Sequence, residues 1–359
     1  MSWKTSTISN KASVRDSNVE LLRIFAIMGV VVLHYNGYFA LSLVEPNSLN
    51  FYILIFLEGL FICAVNLFVL ISGYFLSSTT KRKSVKAIEL VVQVIAMSAV
   101  TYIVSFIISH HFSFKGLALS LVPNNYFVTL YITLYLISPY INLALSRLSE
   151  KFFLVLLAVL FVLFAVWPTV MDVIVELTGK NYNGLYTTNS GGSQFGYSII
   201  NFVLMYITGA FLRRKAPVVK KRFCILGIVL TAVLIFIWQL YMPSIARAYC
   251  NPLVVLLAVL VFLLFRGFNF KSRLINTLSK SSFTCFLIHG IFLSRIKIEL
   301  FVNASPILLL LHILASAVAI YLVSFVVWAI YDFVTKPIFK LLGSKLGRLD
   351  ALLSPEQSI

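Results

Sequence analysis

Charged residues are scarce in this sequence, because only 11 % of its 359 residues are Asp, Glu, Lys or Arg. Soluble globular domains carry about 25 % charged and about 45–50 % apolar residues. Here 60 % of the residues are hydrophobic, and the mean hydropathy is +0.97. So few charges cannot cover a surface that faces water. We therefore expect lipid to be the solvent for most of the chain.

Cysteine is also rare, and its pattern argues against a metal site or a disulfide framework. There is no Cys-x-x-Cys pair and no metal-ligand spacing among the four cysteines, Cys63, Cys224, Cys250 and Cys285. The motifs of a phosphate-binding loop, a GxSxG nucleophile elbow and an HExxH metal site are missing as well. We expect neither a bound metal nor a bound cofactor.

Acidic residues are few, and the excess of positive charge gives a net charge of +17. The Lys and Arg residues occur in short runs between apolar segments and do not gather on one soluble face. This distribution is typical of membrane proteins and not of nucleic-acid-binding domains. We expect membrane lipids as neighbours and no nucleic acid.

The apolar segments predict an all-α polytopic membrane protein of about ten transmembrane helices. Alternate connecting segments hold 23 and 5 basic residues, a bias that predicts both termini in the cytoplasm. The eighth and ninth segments are short, and the ninth is a candidate for a broken or re-entrant segment. The predicted division is a cytoplasmic segment 1–19, a membrane domain 20–335 and a cytoplasmic tail 336–359. The predicted spans are 20–43, 51–77, 86–109, 126–146, 152–170, 197–212, 223–242, 253–266, 281–294 and 306–335.

Ionisable residues inside the first predicted span form a polar stripe. Arg23 and His34 are 11 residues apart, which places both side chains on one helix face and about 16 Å apart along the axis. Glu20 precedes Arg23 by three residues and is able to pair with it. Taken singly, Arg23 is explained as an interfacial cation and His34 as a hydrogen-bonded core residue. Their common face favours a functional site, since charges at membrane depth usually face a cavity or a partner.

The second predicted span carries Glu58, Asn66 and Ser72. Counted from the outer ends of their spans, Glu58 and His34 lie at nearly the same depth. We therefore predict that Glu58 pairs with His34 and raises its basicity, as a general base requires. The alternative is a Glu58 that is protonated or bonded to a neighbouring helix. Ser72 lies near the inner end, at about the depth of Arg23.

Two other features have a structural and a functional interpretation. The external loop 171–196 is rich in Asn, Thr, Ser, Gly and Tyr, and it is either a flexible loop or a surface that faces carbohydrate. His289 lies midway along the ninth segment, where it is either a packing residue or part of a site.

These motifs resemble those of the acyltransferase-3 family of bacterial membrane O-acyltransferases. The family's first helix has an acidic residue, Arg three positions later, and His after ten more residues, as at Glu20, Arg23 and His34. The segment from Asn66 to Tyr74, which ends in Ser72-Gly73-Tyr74, resembles the end of its second helix. The segment 125–142 and the pair Ser282 and His289 resemble later motifs, although Phe286 stands where the family usually has Tyr and Gly290 where it has Pro.

The resemblance implies an O-acetyltransferase in a bacterial plasma membrane. It implies acetyl-CoA, or another acyl-CoA, as the donor, and a lipid-linked or polymeric glycan such as an exopolysaccharide as the acceptor. Arg23 corresponds to the residue that engages the CoA phosphates, and His34 to the catalytic histidine. With the residue chemistry above, the predicted site has His34 and Glu58 as catalytic residues. The donor is bound by Arg23, Ser72 and Glu20, and Asn66, Tyr74 and His289 line the site.

Two questions remain open at this stage. His34 acts either as a base on the acceptor hydroxyl or as a covalent acyl relay. The rival function is a multi-pass transporter or flippase for a glycan or small molecule, which accounts for the helices and the buried charges equally well.

Overall fold

The computed structural model of the chain describes residues 16–188 and 195–355. Within these residues the regular secondary structure is helical throughout. Residues 1–15, 189–194 and 356–359 lie outside the described residues. They include most of the predicted N-terminal segment, part of the external loop 171–196 and the end of the predicted tail.

Ten helices of 12 or more residues follow one another in the described part of the chain, and we number them in chain order. Shorter helical turns lie between some of them. The ten are α1 (Ser17–Leu43), α2 (Leu49–Leu76), α3 (Ser84–Ser109), α4 (Tyr126–Ser146), α5 (Glu150–Thr178), α6 (Ile199–Lys215), α7 (Lys221–Gln239), α8 (Pro252–Arg266), α9 (Ser282–Leu293) and α10 (Pro306–Lys345).

Seven helices of the described chain are long and apolar enough to cross a membrane, namely α1 to α5, α7 and α10. The other three are shorter, with 17 residues in α6, 15 in α8 and 12 in α9. Large apolar side chains of α7 and α10 face outward, as lipid contact requires. The all-α polytopic membrane fold is confirmed. The number of ten spans and the cytoplasmic position of both termini stay predictions.

Two helices depart from regular geometry near polar residues. In α1 a π-helical turn, Asn36–Ala40, begins two residues after His34. Such turns are frequent at functional sites. The second span is divided at Ile62 and Cys63 into the halves Leu49–Phe61 and Ala64–Leu76. The break occurs there and not in the ninth segment, where α9 is one short continuous helix.

Helices α2 and α6 form the most extensive helix pair of the molecule. A side chain on Gly73 would collide with the backbone carbonyl of Tyr206, and one on Gly209 with the carbonyl of Leu70. Small residues at such crossings bring two backbones close together, and packing of this kind drives helix association in lipid. The glycine of the Ser72-Gly73-Tyr74 motif therefore has a packing role.

The turn after α2 is held by a buried arginine. Arg82 is only 3 % exposed, and its Nε donates a hydrogen bond of 2.9 Å to the Ser138 hydroxyl on α4. The other guanidinium nitrogens donate to the carbonyls of Thr79, Lys81 and Leu76. A buried guanidinium needs such a full set of acceptors.

The C-terminal part of the chain folds back onto the start of α3. Helix α10 continues to Lys345, ten residues beyond the predicted end of its span. Asp350 follows in a short helix, and its carboxylate accepts hydrogen bonds from the Ser84 amide at 2.7 Å and hydroxyl at 2.6 Å. These bonds hold the pKa of Asp350 below its ordinary value of 3.8. The division at 335/336 stays a prediction.

Candidate active site

A cavity of about 700 Å³ opens between α1, α2, α3, α4, α9 and α10. This volume lies in the usual range for sites that hold small molecules and cofactors. Its charged lining residues come from the segment ends that the distribution of Lys and Arg assigns to the cytoplasm. They are Glu20, Arg23, Lys86, Glu89, Lys280, Asp332, Lys336 and Lys340.

Arg23 and Glu20 line this cavity from α1, and Ser72 lines it from α2. The Arg23 Nε lies 3.7 Å from the Glu20 carboxylate, which is an ion pair but too long for a hydrogen bond. This nitrogen is buried and has no hydrogen-bond partner among the described residues. A buried, unsatisfied guanidinium N–H beside a cavity favours an anionic or strongly accepting ligand there.

Ser72 reaches the cavity from α2. Its hydroxyl donates to the Phe68 carbonyl at 2.8 Å and lies 3.1 Å from the Tyr131 hydroxyl. Tyr131 also lines the cavity. The prediction that Ser72 lies at the depth of Arg23 agrees with this arrangement. Its part in donor binding stays a prediction.

Two of the four lysines in the lining, Lys280 and Lys340, form no ion pair with an acidic side chain of the described residues. Lys86 pairs with Glu89 at 2.5 Å and Lys336 with Asp332 at 4.0 Å. Lys280 and Lys340 have no such ion pair within residues 16–188 and 195–355. Sequence reasoning missed them as site residues, because basic residues at inner segment ends are explained by topology alone.

His34 and His289 come together at the far side of the site from Arg23. The His34 Nδ1 contacts the His289 Nε2, and the two ring planes are parallel to within 3°. The His289 Nδ1 lies 3.1 Å from the Cys285 carbonyl, an acceptor only. The proton of a neutral His289 therefore lies on Nδ1, so its Nε2 accepts from the Nδ1–H of His34. This arrangement leaves the His34 Nε2 as a free base.

The predicted pairing of Glu58 with His34 does not form among the described residues, because the His34 Nδ1 contacts His289 instead. Glu58 is buried and lies beside α1, but its Oε1 is 3.3 Å from where a Cβ on Gly37 would stand. Gly37 is one turn beyond His34, and the described chain shows no hydrogen bond between the two side chains. Equal depth in two spans did not determine how each helix is rotated about its axis. The catalytic role of Glu58 stays a prediction.

Two residues predicted to line the site have packing contacts instead. Asn66 is fully buried and donates to the Tyr249 carbonyl at 2.8 Å, while its own carbonyl accepts from Asn201 at 3.0 Å. The Tyr74 ring lies 5.2 Å from the Arg213 guanidinium and 5.8 Å from that of Arg266. Neither Asn66 nor Tyr74 is in the lining of the cavity.

Aromatic side chains separate the cavity from the histidine pair. Phe68, Phe127 and Phe286 line the cavity. The Phe286 ring centroid is 5.0 Å from that of Phe127 and 6.2 Å from that of His289. Phe286 therefore joins the lining of the cavity to the histidine pair.

The comparison with protein families shows to which family the chain belongs. The family model of the acyltransferase-3 acyltransferase domain matches residues 16–329, which includes Arg23, His34, Ser72 and His289. The chain belongs to this family. No curated protein and no solved structure matches it. Family membership and the apolar helices together identify a multi-pass membrane acyltransferase.

Proposed function

We propose that this acyltransferase-3 protein moves an acetyl group from acetyl-CoA in the cytoplasm to a hydroxyl of a surface or exopolysaccharide sugar in a bacterial plasma membrane. The observation that carries the proposal is the layout of α1. One helix has Arg23, whose Nε lacks a hydrogen-bond partner among the described residues, in the lining of a large cavity and, three turns away, a histidine with a free ring nitrogen.

The cavity fits the phosphate end of an acyl-CoA. Phosphate oxygens are strong acceptors and pair well with guanidinium and ammonium groups. Arg23, Lys280 and Lys340 supply such groups around one space. The narrow pantetheine arm of the donor is then the part that passes Phe127 and Phe286 and brings the thioester to His34.

The histidine pair fits proton transfer in the acyl step. The His34 Nε2 takes the proton of the acceptor hydroxyl as its oxygen attacks the thioester carbonyl carbon. The carbon–sulfur bond breaks, and the CoA thiolate leaves and takes up a proton from the His34 imidazolium. The His289 Nε2 accepts the Nδ1–H of His34 throughout, which holds the ring in the tautomer that this step needs.

A covalent relay uses the same residues in two steps. The His34 Nε2 then attacks the thioester itself and forms an acyl-histidine, from which the acceptor hydroxyl takes the acyl group. Mass spectrometry of protein incubated with acetyl-CoA alone distinguishes the two routes, because only the relay leaves an acetyl group on the peptide that contains His34.

The test is acetyl transfer by the full-length protein in lipid nanodiscs. The donor is labelled acetyl-CoA, and the acceptor is surface polysaccharide from cells that lack the protein. We expect His34→Ala to reduce transfer by at least about 100-fold and to retain acetyl-CoA binding. His111→Ala is the matched control, because His111 is exposed and is not in the lining of the cavity.

Two outcomes contradict the proposal. One is acetyl transfer by His34→Ala at the rate of the wild type. The other is identical mass spectra of surface glycans from cells with and without the protein, which would leave the rival interpretation as a transporter of acylated material.

A further inference from the structure

Three tyrosines lie together on the side of the membrane that the sequence assigns to the outside, and a fourth, Tyr38, lies beside His34. The Tyr38 ring centroid is 5.0 Å from that of His34. The Tyr197 ring is 5.0 Å from that of Tyr249 and 5.4 Å from that of Tyr126. Tyr38 is also close enough to Tyr197 and Tyr249 to interact with them electrostatically. We call Tyr38, Tyr126, Tyr197 and Tyr249 the tyrosine cluster.

The cluster is held in place by the backbone around it. The Tyr249 amide donates to the Phe195 carbonyl at 2.7 Å, and the Tyr249 carbonyl accepts from Asn66. Gly196, with φ of +83°, lies so close to Cys250 that a side chain there would collide with it. These contacts fix two chain turns against each other, so the rings of Tyr197 and Tyr249 keep one arrangement.

Two tyrosines of the cluster are exposed, although Glu58 beside them is buried. Tyr38 is 71 % exposed and Tyr126 is 42 % exposed. Gly37, between His34 and Tyr38, is exposed, and the Glu58 Oε1 is the sole described atom that a Cβ on it would approach within 4 Å. The missing side chain therefore leaves a gap in α1 beside the Glu58 carboxylate, at an exposed position of the helix.

Glu58 is the acidic group of this gap. It is 5 % exposed, and in the described chain its carboxylate accepts no hydrogen bond, although Arg247 interacts with it electrostatically. Burial, and to a smaller extent the charge of Glu58, raise the pKa of Tyr249 to about 12. The Tyr249 hydroxyl is therefore protonated at neutral pH and able to donate.

We propose that the tyrosine cluster and Glu58 form the acceptor subsite, which holds one sugar ring with a hydroxyl directed at His34. The inference rests on the proposed function. Tyrosine rings stack on the apolar C–H face of a sugar, and their hydroxyls bond its polar edge. The Glu58 carboxylate accepts a hydrogen bond from a hydroxyl that is not acylated and so orients the ring.

The test is steady-state kinetics of acetyl transfer in nanodiscs with Tyr38→Ala. Because Tyr38 contributes one stacking face, we expect its loss to raise the KM for the glycan by about ten-fold. The KM for acetyl-CoA stays unchanged. Tyr38→Phe keeps the ring and restores the glycan KM. Tyr241→Ala is the matched control, because Tyr241 is 78 % exposed on the same predicted side but outside the cluster.

A second variant tests the gap itself. Gly37→Ala adds a methyl group that meets only the Glu58 carboxylate, and Gly37 has no positive φ that alanine would strain. We expect this variant to fold, to bind acetyl-CoA as the wild type does, and to lose most glycan acetylation. Both acceptor sources are assayed separately, extracted polysaccharide and the lipid-linked glycan fraction, and the one with the lower KM is the acceptor.

The outcomes separate this inference from the proposed function. If the wild type acetylates neither glycan source, the proposed function fails. A second outcome is that the wild type acetylates a glycan and that Tyr38→Ala and Gly37→Ala both have the kinetics of Tyr241→Ala. The proposed function then stands, and the proposal of an acceptor subsite is overturned. A rise in the KM for acetyl-CoA with no change in the glycan KM also overturns it.

Discussion

At the scale of single residues, the histidine pair defines the tautomer of His34 that the proposed mechanism requires. His34 alone, packed in a helix, has no defined tautomer. The Cys285 carbonyl fixes the proton of His289, and His289 in turn fixes that of His34. His289 is thus a positioning residue in the proposed mechanism, because it acts on the acceptor only through His34.

Replacement of His289 tests this role. We expect His289→Ala to lower kcat for acetyl transfer by about 100-fold, since the His34 ring then lacks the partner that holds its Nδ1–H. His289→Gln offers a carbonyl oxygen as acceptor and restores part of the rate. The KM for acetyl-CoA stays constant in both variants. Equal rates for His289→Ala and the wild type, measured in the same nanodiscs, would refute the tautomer argument.

At the scale of helices, Asp350 near the C-terminus contacts Ser84 at the start of α3. The sequence assigns both segments to the cytoplasmic side. The first amide groups of a helix have no intrahelical acceptor, and a carboxylate there bonds them and complements the helix dipole. In α3 the residue before Ser84 provides no such side-chain cap. Asp350 supplies it from a segment 266 residues away.

This contact predicts a dependence of stability on pH. The folded-state pKa of Asp350 is depressed, so the stabilisation is present above its ordinary value of 3.8 and is lost as the pH falls below it. We expect Asp350→Asn to lower the unfolding temperature by about 1–3 °C at pH 7. The difference from the wild type should become smaller when the pH is lowered from 7 to about 3.

Thermal unfolding in detergent at both pH values measures the difference. Glu45→Gln is a suitable control, because Glu45 has an exposed side chain that makes no such bond. A difference between Asp350→Asn and the wild type that is as large at low pH as at neutral pH contradicts the assignment.

At the scale of the whole molecule, the cavity that Arg23 lines and the tyrosine cluster lie toward opposite sides of the membrane, as the sequence assigns those sides. Phe127 touches both regions, since its ring packs on Phe286 and lies 6.5 Å from Tyr197. The histidine pair is beside this aromatic layer. In the proposed function, this layout keeps a cytoplasmic donor and an external acceptor apart and lets their reacting groups meet at His34.

Two lysines of the cavity that Arg23 lines predict how strongly this protein binds acetyl-CoA. Lys280 and Lys340 have no acidic partner in the described part of the chain, so their charges are available to phosphates. We expect the double variant Lys280→Gln/Lys340→Gln to weaken acetyl-CoA binding by about 10- to 100-fold. The glycan KM should not change.

Isothermal titration of the nanodisc protein with acetyl-CoA measures this effect. Lys151→Gln is the control, because Lys151 is at an inner segment end but outside the cavity lining. Unchanged affinity of the double variant would show that the phosphates bind elsewhere.

Three residues of the cavity lining could be identified from the sequence, because polar side chains are conspicuous inside apolar spans. Arg23, Ser72 and Glu20 line one cavity, as their common depth suggested. The partner of His34 could not be found in that way. Glu58 and His289 are both polar, buried and close to α1, and only the rotation of α2 and α9 about their axes decides which one faces the ring nitrogen.

The amino-acid sequence by itself determined the all-α membrane fold, because 60 % hydrophobic residues with 11 % charged ones leave lipid as the only suitable solvent. It also determined the family, because Arg23 and His34 lie on one helix and their spacing can be recognised without knowledge of any tertiary contact. The tertiary structure alone decided the pairing with His289, the two unpaired lysines and the tyrosine cluster. These features join segments up to 255 residues apart, and their geometry depends on helix rotation, on the break in α2 and on close glycine contacts. None of these is set by hydropathy or by spacing along the chain.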